Sequence, residues 1–175
     1  MLFGSAGSEV RENEIFSRTR VVLGGINLVD YDPWDGDYDR VNVHHNKLYA
    51  LSRYLKVGIV IGLSSWSDDT DAVVHLGTVV DNSFYGDHFG YGIVVSSATG
   101  FTVLRNKVAD TAKFSGVNGP RCPKAPANGK PTAFLINRGS ARGVFQEDFV
   151  NGEVQHSEPC MKDMADRSYL HQSCR

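Results

Sequence analysis

Apolar residues recur along this chain in short alternating runs that repeat with nearly constant spacing. Four segments share a β-branched residue, two variable residues, Asn, one variable residue and an apolar residue, at residues 10–15, 43–48, 79–84 and 103–108. A Gly-Ile pattern with further apolar positions follows the first three, at residues 25–29, 58–61 and 92–95. Short runs rich in Val and Ile, interrupted by Gly at fixed places, predict β-strands rather than helices.

The spacing of the two patterns predicts a solenoid. Asn13 and Asn46 are 33 residues apart, and so are Gly25 and Gly58. In a solenoid each strand pairs in parallel with its copy in the next rung, and inward residues stack into a core. We therefore predict an all-β parallel β-helix of about four rungs. The strands are expected near residues 9–16, 22–29, 41–49, 57–62, 76–84, 91–96, 101–108 and 133–136.

The repeated Asn predicts a ladder of stacked side chains. At a tight turn, an Asn side chain can bond the backbone of its own turn and the Asn of the adjacent rung. The predicted members are Asn13, Asn46, Asn82 and Asn106. Asn46 is an interior member, whereas Asn106 comes just before a Pro- and Gly-rich excursion at residues 116–131. We therefore expect Asn46→Ala to destabilise the fold more than Asn106→Ala. The alternative is that all four are exposed turn residues.

These patterns resemble a known family. The V-x-x-N-x-apolar runs with trailing G-I-x-apolar strands look like those of pectin-lyase-like right-handed parallel β-helix proteins. The stretch from residues 114–122 through residues 146–150 is also similar to the ends of uncharacterised secreted fungal β-helix proteins. The resemblance covers residues 8–157 and implies a right-handed solenoid. The superfamily includes polysaccharide lyases, polygalacturonase-type hydrolases, epimerases and phage-tail adhesins, so the resemblance implies no single activity.

The two ends of the predicted solenoid differ. The chain enters a rung almost at once, and an uncovered rung exposes apolar core and unpaired strand edges. We therefore expect either a longer parent β-helix or self-association through the open N-terminal end. At the other end, Asn151-Gly152 suits the turn of a hairpin at residues 149–154. The rungs then occupy residues 1–157, and residues 158–175 form a tail or cap.

Two long loops follow the first two Gly-Ile strands, at residues 30–39 and 64–71. Trp34 and Trp66 lie at nearly equal offsets from the glycines that begin those strands, so both are expected on one face. Exposed Trp offers a flat apolar platform to a sugar ring. Aspartates can bond sugar hydroxyls or bind Ca²⁺, for which the candidate ligands are Asp32, Asp35, Asp37 and Asp39. Alternatively, both tryptophans pack under their own loops.

A second candidate face lies between the Asn strands and the Gly strands. Lyases acting beside a uronate need a cation to neutralise the carboxylate and a base to remove a proton, and hydrolases need carboxylates. The candidate catalytic residues are Arg53, Tyr54, Asp87 and His88, and Tyr91 is a candidate substrate contact. No catalytic motif of the family matches residue by residue. The alternative is that Arg53 and Tyr54 are ordinary surface residues.

Composition narrows the partners. A formal net charge of −2 and scattered Lys and Arg argue against nucleic acid and anionic membranes. Residues 1–10 lack a signal-peptide pattern, which fits a cytoplasmic protein or a truncated secreted one, and the resemblance favours an extracellular location. Cys122, Cys160 and Cys174 are either free thiols or supply one disulfide, for which Cys122 and Cys160 are the expected pair.

Two functional hypotheses follow. In the first, the chain is a β-helix that binds or processes a polysaccharide or oligosaccharide, expected to be acidic, as a lyase or glycoside hydrolase if it is catalytic. In the second, it is a non-catalytic structural or adhesive module. The two differ in whether titratable groups converge in a groove or stay scattered and solvated.

Overall fold

A computed structural model describes residues 6–29, 36–62, 73–116 and 131–152 of the 175-residue chain. Within these ranges the chain forms fifteen β-strands and no helix. The strands are β1 Glu9–Arg11, β2 Glu14–Phe16, β3 Val22–Leu28, β4 Asn42–His44, β5 Lys47–Tyr49, β6 Leu55–Ile61, β7 Val74–His75, β8 Thr78–Val80, β9 Ser83–Tyr85, β10 Phe89–Val95, β11 Ala98–Leu104, β12 Lys107–Val108, β13 Phe134–Ile136, β14 Ala141–Phe145 and β15 Val150–Asn151. The described part of the chain therefore contains no helix that could span a membrane.

The strands form three sheets, and all the strand pairings within them are parallel. The first sheet has the order β1-β4-β8-β11-β14, with β7 also paired to β11; the second has the order β2-β5-β9-β12; the third has the order β3-β6-β10-β13-β15. Successive stretches of chain, called repeats one to five below, each supply strands to these sheets. They are residues 9–28, 42–61, 74–95, 98–136 and 141–151. The predicted all-β fold with parallel strands is confirmed.

Sharp corners divide several predicted strands in two. The predicted strand at residues 9–16, for example, is β1 and β2 with a bend between them. The residue at the bend has a positive φ in repeats one to four: Glu12 at 55°, His45 at 54°, Asp81 at 55° and Arg105 at 55°. This left-handed conformation costs an ordinary L-residue about 1–2 kcal/mol, so the surrounding structure must stabilise it. The bend carries the chain from the first sheet to the second.

The Asn that follows each bend joins the predicted ladder. Asn13 Nδ2 donates to Asn46 Oδ1, Asn46 Nδ2 to Asn82 Oδ1, and Asn82 Nδ2 to Asn106 Oδ1, each at 2.9 Å. The backbone N–H of each of these donors bonds the same oxygen at 3.1 Å. Asn46, Asn82 and Asn106 are buried, whereas Asn13 is exposed. The interior members are therefore buried network residues rather than exposed turn residues.

Gln146 continues the ladder past Asn106. Its Oε1 accepts from the backbone N–H of Asn106 at 2.9 Å and from Asn106 Nδ2 at 3.2 Å. Asn106 therefore has ladder partners on both sides, and the reason for expecting Asn106→Ala to be milder than Asn46→Ala is wrong. The sequence pattern missed this member because Gln146 directly follows Phe145, the register partner of Val103, whereas the pattern has its Asn three residues after Val.

The core lies between the three sheets. Ile26, Ile59 and Ile93 are stacked in register, as are Leu28, Ile61 and Val95, and all belong to one buried apolar cluster. The Gly of the Gly-Ile pattern has a steric reason. A Cβ atom at Gly58 would lie 2.6 Å from the carbonyl oxygen of Gly92 and 2.6 Å from the Phe84 ring. A side chain does not fit where the third sheet approaches the neighbouring repeat so closely.

The final strand lies in the first half of the predicted hairpin at residues 149–154. Val150 and Asn151 pair in parallel with Leu135 and Ile136, so β15 extends the third sheet. The other half of that hairpin and the expected cap at residues 158–175 lie outside the described residues.

Candidate functional site

A column of aromatic rings runs along the outer face of the second sheet. Phe16, Tyr49 and Tyr85 are the last residues of β2, β5 and β9 and are paired in register. The ring centroids of Phe16 and Tyr49 are 4.6 Å apart with planes 9° apart, and those of Tyr49 and Tyr85 are 4.9 Å apart at 18°. Side chains alternate along a strand, so these rings point outward while the preceding residues of the same strands point into the core.

A shallow groove of about 570 Å³ lies beside this aromatic column. It is lined by Phe16, Tyr49, Leu51, Tyr85, Gly86, Asp87 and Thr111. Leu51 and Phe16 are both large apolar side chains, 42% and 38% exposed. Gly86 has a φ of 98°, and a Cβ atom there would lie 2.3 Å from the carbonyl oxygen of Ala50. The turn at Gly86 therefore packs against the neighbouring backbone.

The hydroxyl groups distinguish the groove tyrosines from the others. Tyr38 donates to the carbonyl oxygen of Val29 at 2.6 Å, Tyr91 to that of Gly116, and Tyr54 bonds Ser115. Among the tyrosines that the structure describes, only Tyr49 and Tyr85 have hydroxyls without a hydrogen bond to the protein. Their donors and acceptors are consequently available to water or to a ligand in the groove.

Charged groups stand at both ends of the aromatic column. The guanidinium of Arg18 lies 4.7 Å from the centre of the Phe16 ring, a cation–π contact. At the other end, His88 Nδ1 and Asp87 Oδ1 are 2.6 Å apart. The hydrogen bond with His88 is the main reason that the pKa of Asp87 lies below its ordinary value. Asp87 is therefore ionised at neutral pH.

The four candidate catalytic residues are neighbours in the fold but do not form one cluster of interacting side chains. Leu55 is paired with Phe89, so Arg53 and Tyr54 lie beside Asp87 and His88 in the adjacent repeat. Burial, the main cause, raises the pKa of Tyr54. The phenol therefore stays protonated at neutral pH, which suits a hydrogen-bond donor better than a base. Arg53 is exposed, and its carbonyl oxygen accepts a 2.6 Å bond from Ser17 Oγ.

Tyr91 does not fit the expected role of substrate contact. It is wholly buried and packs in a small apolar cluster with Val57, Val60 and Val94. Asp87 and His88, just before β10, are exposed, and Tyr91 was expected to share their surface. Every residue of β10, Tyr91 included, is instead buried.

The candidate calcium ligands are only partly described. Asp37 Oδ1 accepts from the backbone N–H of Asp39 at 2.9 Å, and Asp39 Oδ2 lies 3.2 Å from Arg40 Nε. Asp32, Asp35, Trp34 and Trp66 lie outside the described residues, as do the three cysteines. Within residues 6–29, 36–62, 73–116 and 131–152, no three His, Cys, Asp or Glu side chains come together as a metal site. The calcium site and the tryptophan face remain predictions.

The aromatic column was missed at the sequence level although a signal for it exists. Its members each stand three residues after a ladder Asn: Phe16 after Asn13, Tyr49 after Asn46 and Tyr85 after Asn82. An aromatic residue at a fixed place in three repeats predicts a stacked column once the parallel register is known. Comparison of the chain with protein-family models, with curated proteins and with solved structures gives no match.

Proposed function

We propose that the chain is a right-handed parallel β-helix that binds an oligosaccharide or polysaccharide in the groove beside Phe16, Tyr49 and Tyr85. The fold part of this proposal rests on three parallel sheets that receive strands in the same order from successive repeats. Connections between parallel strands are right-handed in almost all proteins, which supports the handedness. The resemblance of the Asn and Gly-Ile repeats to pectin-lyase-like proteins agrees with the parallel β-helix and with its right-handedness.

The observation that carries the binding proposal is the aromatic column at the surface, in which Phe16 is exposed and Tyr49 and Tyr85 are half-buried. Large apolar side chains in contact with one another at a protein surface commonly mark a binding site. The rings stack on each other, so a ligand meets their edges and the hydroxyls of Tyr49 and Tyr85 rather than their faces. Hydroxyls repeated at the strand spacing of roughly 4.8 Å suit a long molecule with regularly repeated hydroxyl groups. A sugar chain has both those hydroxyls and apolar C–H surface.

Binding fits the described groups better than bond cleavage. The raised pKa of Tyr54 disfavours it as a base, and the carboxylate of Asp87 is already paired with His88. An anionic Asp87 in the groove also favours a neutral sugar chain over an acidic one at that end. The proposal therefore includes the second hypothesis: a non-catalytic adhesive module whose activity is to bind sugar. Such a ligand is consistent with an extracellular location.

A glycan array followed by titration with the best ligand tests the proposal. Tyr49→Phe and Tyr85→Phe keep the stack but remove one hydroxyl each, so each is expected to weaken binding about 2- to 10-fold. Tyr49→Ala removes the ring and is expected to weaken binding more. Urea midpoints of all variants control for folding. Trp34→Ala and Trp66→Ala, measured with and without chelator, are the matched comparison for the loop face.

The outcomes separate the sites. Loss of binding in the tyrosine variants alone supports the groove. Loss in the tryptophan variants alone places the sugar on the loops and contradicts the groove proposal. No binding by the parent to any glycan leaves the structural module as the better description. Release of shortened or unsaturated products during the titration would show catalysis and contradict the binding-only form.

A further inference from the structure

At the first repeat, one hydrogen-bond acceptor of the Asn ladder has no partner among the described residues. In the later repeats, Nδ2 of Asn46, Asn82 and Asn106 donates to the carbonyl oxygens of Val10, Val43 and Val79 in the preceding repeat. The Oδ1 of each accepts two hydrogen bonds from the preceding Asn. Asn13 Oδ1 accepts no hydrogen bond from any residue that the structure describes. The ladder thus ends in an acceptor that points out of the stack.

The same end exposes apolar core. Val10 and Ile15 are only partly buried, whereas their register partners Val43 and Leu48 are completely buried. A hollow of about 320 Å³ opens there, lined by Val10, Asn13, Glu14, Ile15, Gly25, Ile26 and Asn27. The strands β1, β2 and β3 are the outermost strands of their sheets. Unpaired strand edges of this kind are templates for pairing with another chain.

We propose that this end binds a second copy of the chain about a two-fold axis through Val10, with β1 antiparallel to the partner's β1. The charged residues of β1 favour a second copy as the partner and the antiparallel direction for the paired strands. Glu9 and Arg11 flank Val10 and both are about half exposed; within one chain Arg11 Nε lies 3.1 Å from Glu9 Oε2, and Glu9 Oε1 lies 2.7 Å from His44 Nε2. In the antiparallel arrangement Glu9 lies opposite the partner's Arg11, and Arg11 lies opposite the partner's Glu9. Opposite charges facing each other across paired strands stabilise the pair, and both contacts form at once by symmetry.

Head-to-tail stacking lacks this complementarity. Placing repeat five above repeat one in the parallel register would put the apolar Val144 beside Glu9 and the neutral Gln146 beside Arg11. It would also leave an unpaired end on every copy, so assembly would continue into a filament. The two-fold arrangement covers the open end of both copies and closes. This inference does not depend on the sugar-binding proposal, since the groove and the end of the stack are different surfaces.

The experiment uses charge reversal followed by mixing, with sedimentation and light scattering as the measurement. The parent is expected to dimerise reversibly. Arg11→Glu places Glu opposite the partner's Glu9, and Glu9→Arg places Arg opposite the partner's Arg11. Each variant alone is expected to have a dissociation constant at least about tenfold above the parent's. An equimolar mixture of the two restores both opposite-charge contacts, so the mixture is expected to dimerise about as well as the parent.

Arg142→Glu in β14, at the opposite end of the first sheet, is the control. Urea midpoints near the parent's show that each variant is folded. A parent that stays monomeric at every concentration contradicts the proposal, as expected if further repeats of a longer chain occupy this end instead. Dissociation caused by Arg142→Glu indicates head-to-tail contacts and contradicts it as well. A mixture that stays monomeric contradicts the antiparallel register.

Discussion

At each of repeats one to four the chain turns two corners that have the same backbone conformation but are stabilised by different means. One, the ladder corner, lies between the first and second sheets and has its positive φ at Glu12, His45, Asp81 and Arg105. The other, the apolar corner, lies two residues before Glu9, Asn42, Thr78 and Thr102 of the first sheet and has positive φ at Gly7, Arg40, Leu76 and Gly100. The register of β1, β4, β8 and β11 makes these four positions equivalent.

The residue that follows the bend decides the difference. At the ladder corner it is Asn, and its buried amide is satisfied by the repeats on either side. At the apolar corner Val41 and Phe101 occupy this place and are buried in the core. Gly77 occupies it in repeat three, where a Cβ atom would lie 2.3 Å from the Phe101 ring. A sharp bend in a stacked chain can thus be closed by a satisfied polar network or by apolar packing.

The largest effect is expected from breaking the ladder in its interior. Asn82→Ala removes the acceptor of the Asn46 backbone N–H, one of the acceptors of Asn46 Nδ2, and the hydrogen bond that Asn82 Nδ2 donates to the carbonyl oxygen of Val43. Unsatisfied buried groups cost about 1–3 kcal/mol each, so we expect a loss of about 3 kcal/mol in the free energy of unfolding. Asn13→Ala, at the exposed end, is expected to cost less than about 1 kcal/mol. Equal urea midpoints for the two variants would contradict the ladder account.

Adding a polar group to the apolar corner is expected to have the next largest effect. Val41→Thr keeps the shape of the side chain but buries a hydroxyl where the corner is closed by apolar packing. We expect a loss of about 1–2 kcal/mol in the free energy of unfolding. Val144→Thr is the control, because Val144 is 57% exposed and the hydroxyl there stays in water. If Val41→Thr has the parent's urea midpoint, the corner is hydrated and the comparison fails.

Relieving the backbone at the apolar corner should stabilise the protein. Leu76 has a φ of 67° and is 53% exposed, and repeats one and four already have Gly at this position. We expect Leu76→Gly to raise the free energy of unfolding by about 0.5–1 kcal/mol, and Gly100→Ala to lower it by about 1 kcal/mol. Leu76→Ala separates the two contributions, since it removes the side chain without relieving φ. A Leu76→Gly variant no more stable than Leu76→Ala would show that no strain is stored there.

Much of the fold was predictable because the residues that determine it recur at a regular spacing in the sequence. Val, Asn and Gly recur at the spacing of the repeats, and the all-β parallel arrangement and the ladder members follow from that spacing. Strand β14 was missed because repeat five has lost the motif: Phe145 takes the place of Val and Asp148 that of Asn, and β15 was expected only as part of a hairpin. The positive φ at Arg105 and Leu76 was not predictable either, because neither residue type favours it. Packing of the neighbouring repeats imposes it.

The candidate site was less predictable than the fold. Asp87 lines the groove and His88, next to it, is exposed, as expected of polar residues. Tyr91, three residues later, is buried, and the sequence of a single repeat does not show this burial. The aromatic column depends on the register of three strands, since Phe16, Tyr49 and Tyr85 are 33 and 36 residues apart in sequence. Residues whose role comes from stacking between repeats are recognised only after the repeats have been aligned.

The smallest effect is expected from the ion pair on the outside of the ladder corner. Asp81 receives two bonds from Arg105, at 3.0 and 2.8 Å, and the pKa of Asp81 is lowered from its ordinary value of 3.8 mainly by this contact. A lowered carboxyl pKa means that the ion pair stabilises the fold above pH 3.8, and that this contribution disappears as the pH falls through the lowered pKa.

Asp81→Asn removes the charge, yet Asn tolerates positive φ as well as Asp does. We expect the parent to exceed Asp81→Asn slightly in urea midpoint at neutral pH and low salt, because exposed ion pairs contribute little and are screened. The difference should vanish at pH 2, in high salt, and in an Arg105→Gln background. A difference that persists in all three conditions would mean that Asp81 acts through the backbone of the corner and not through its charge.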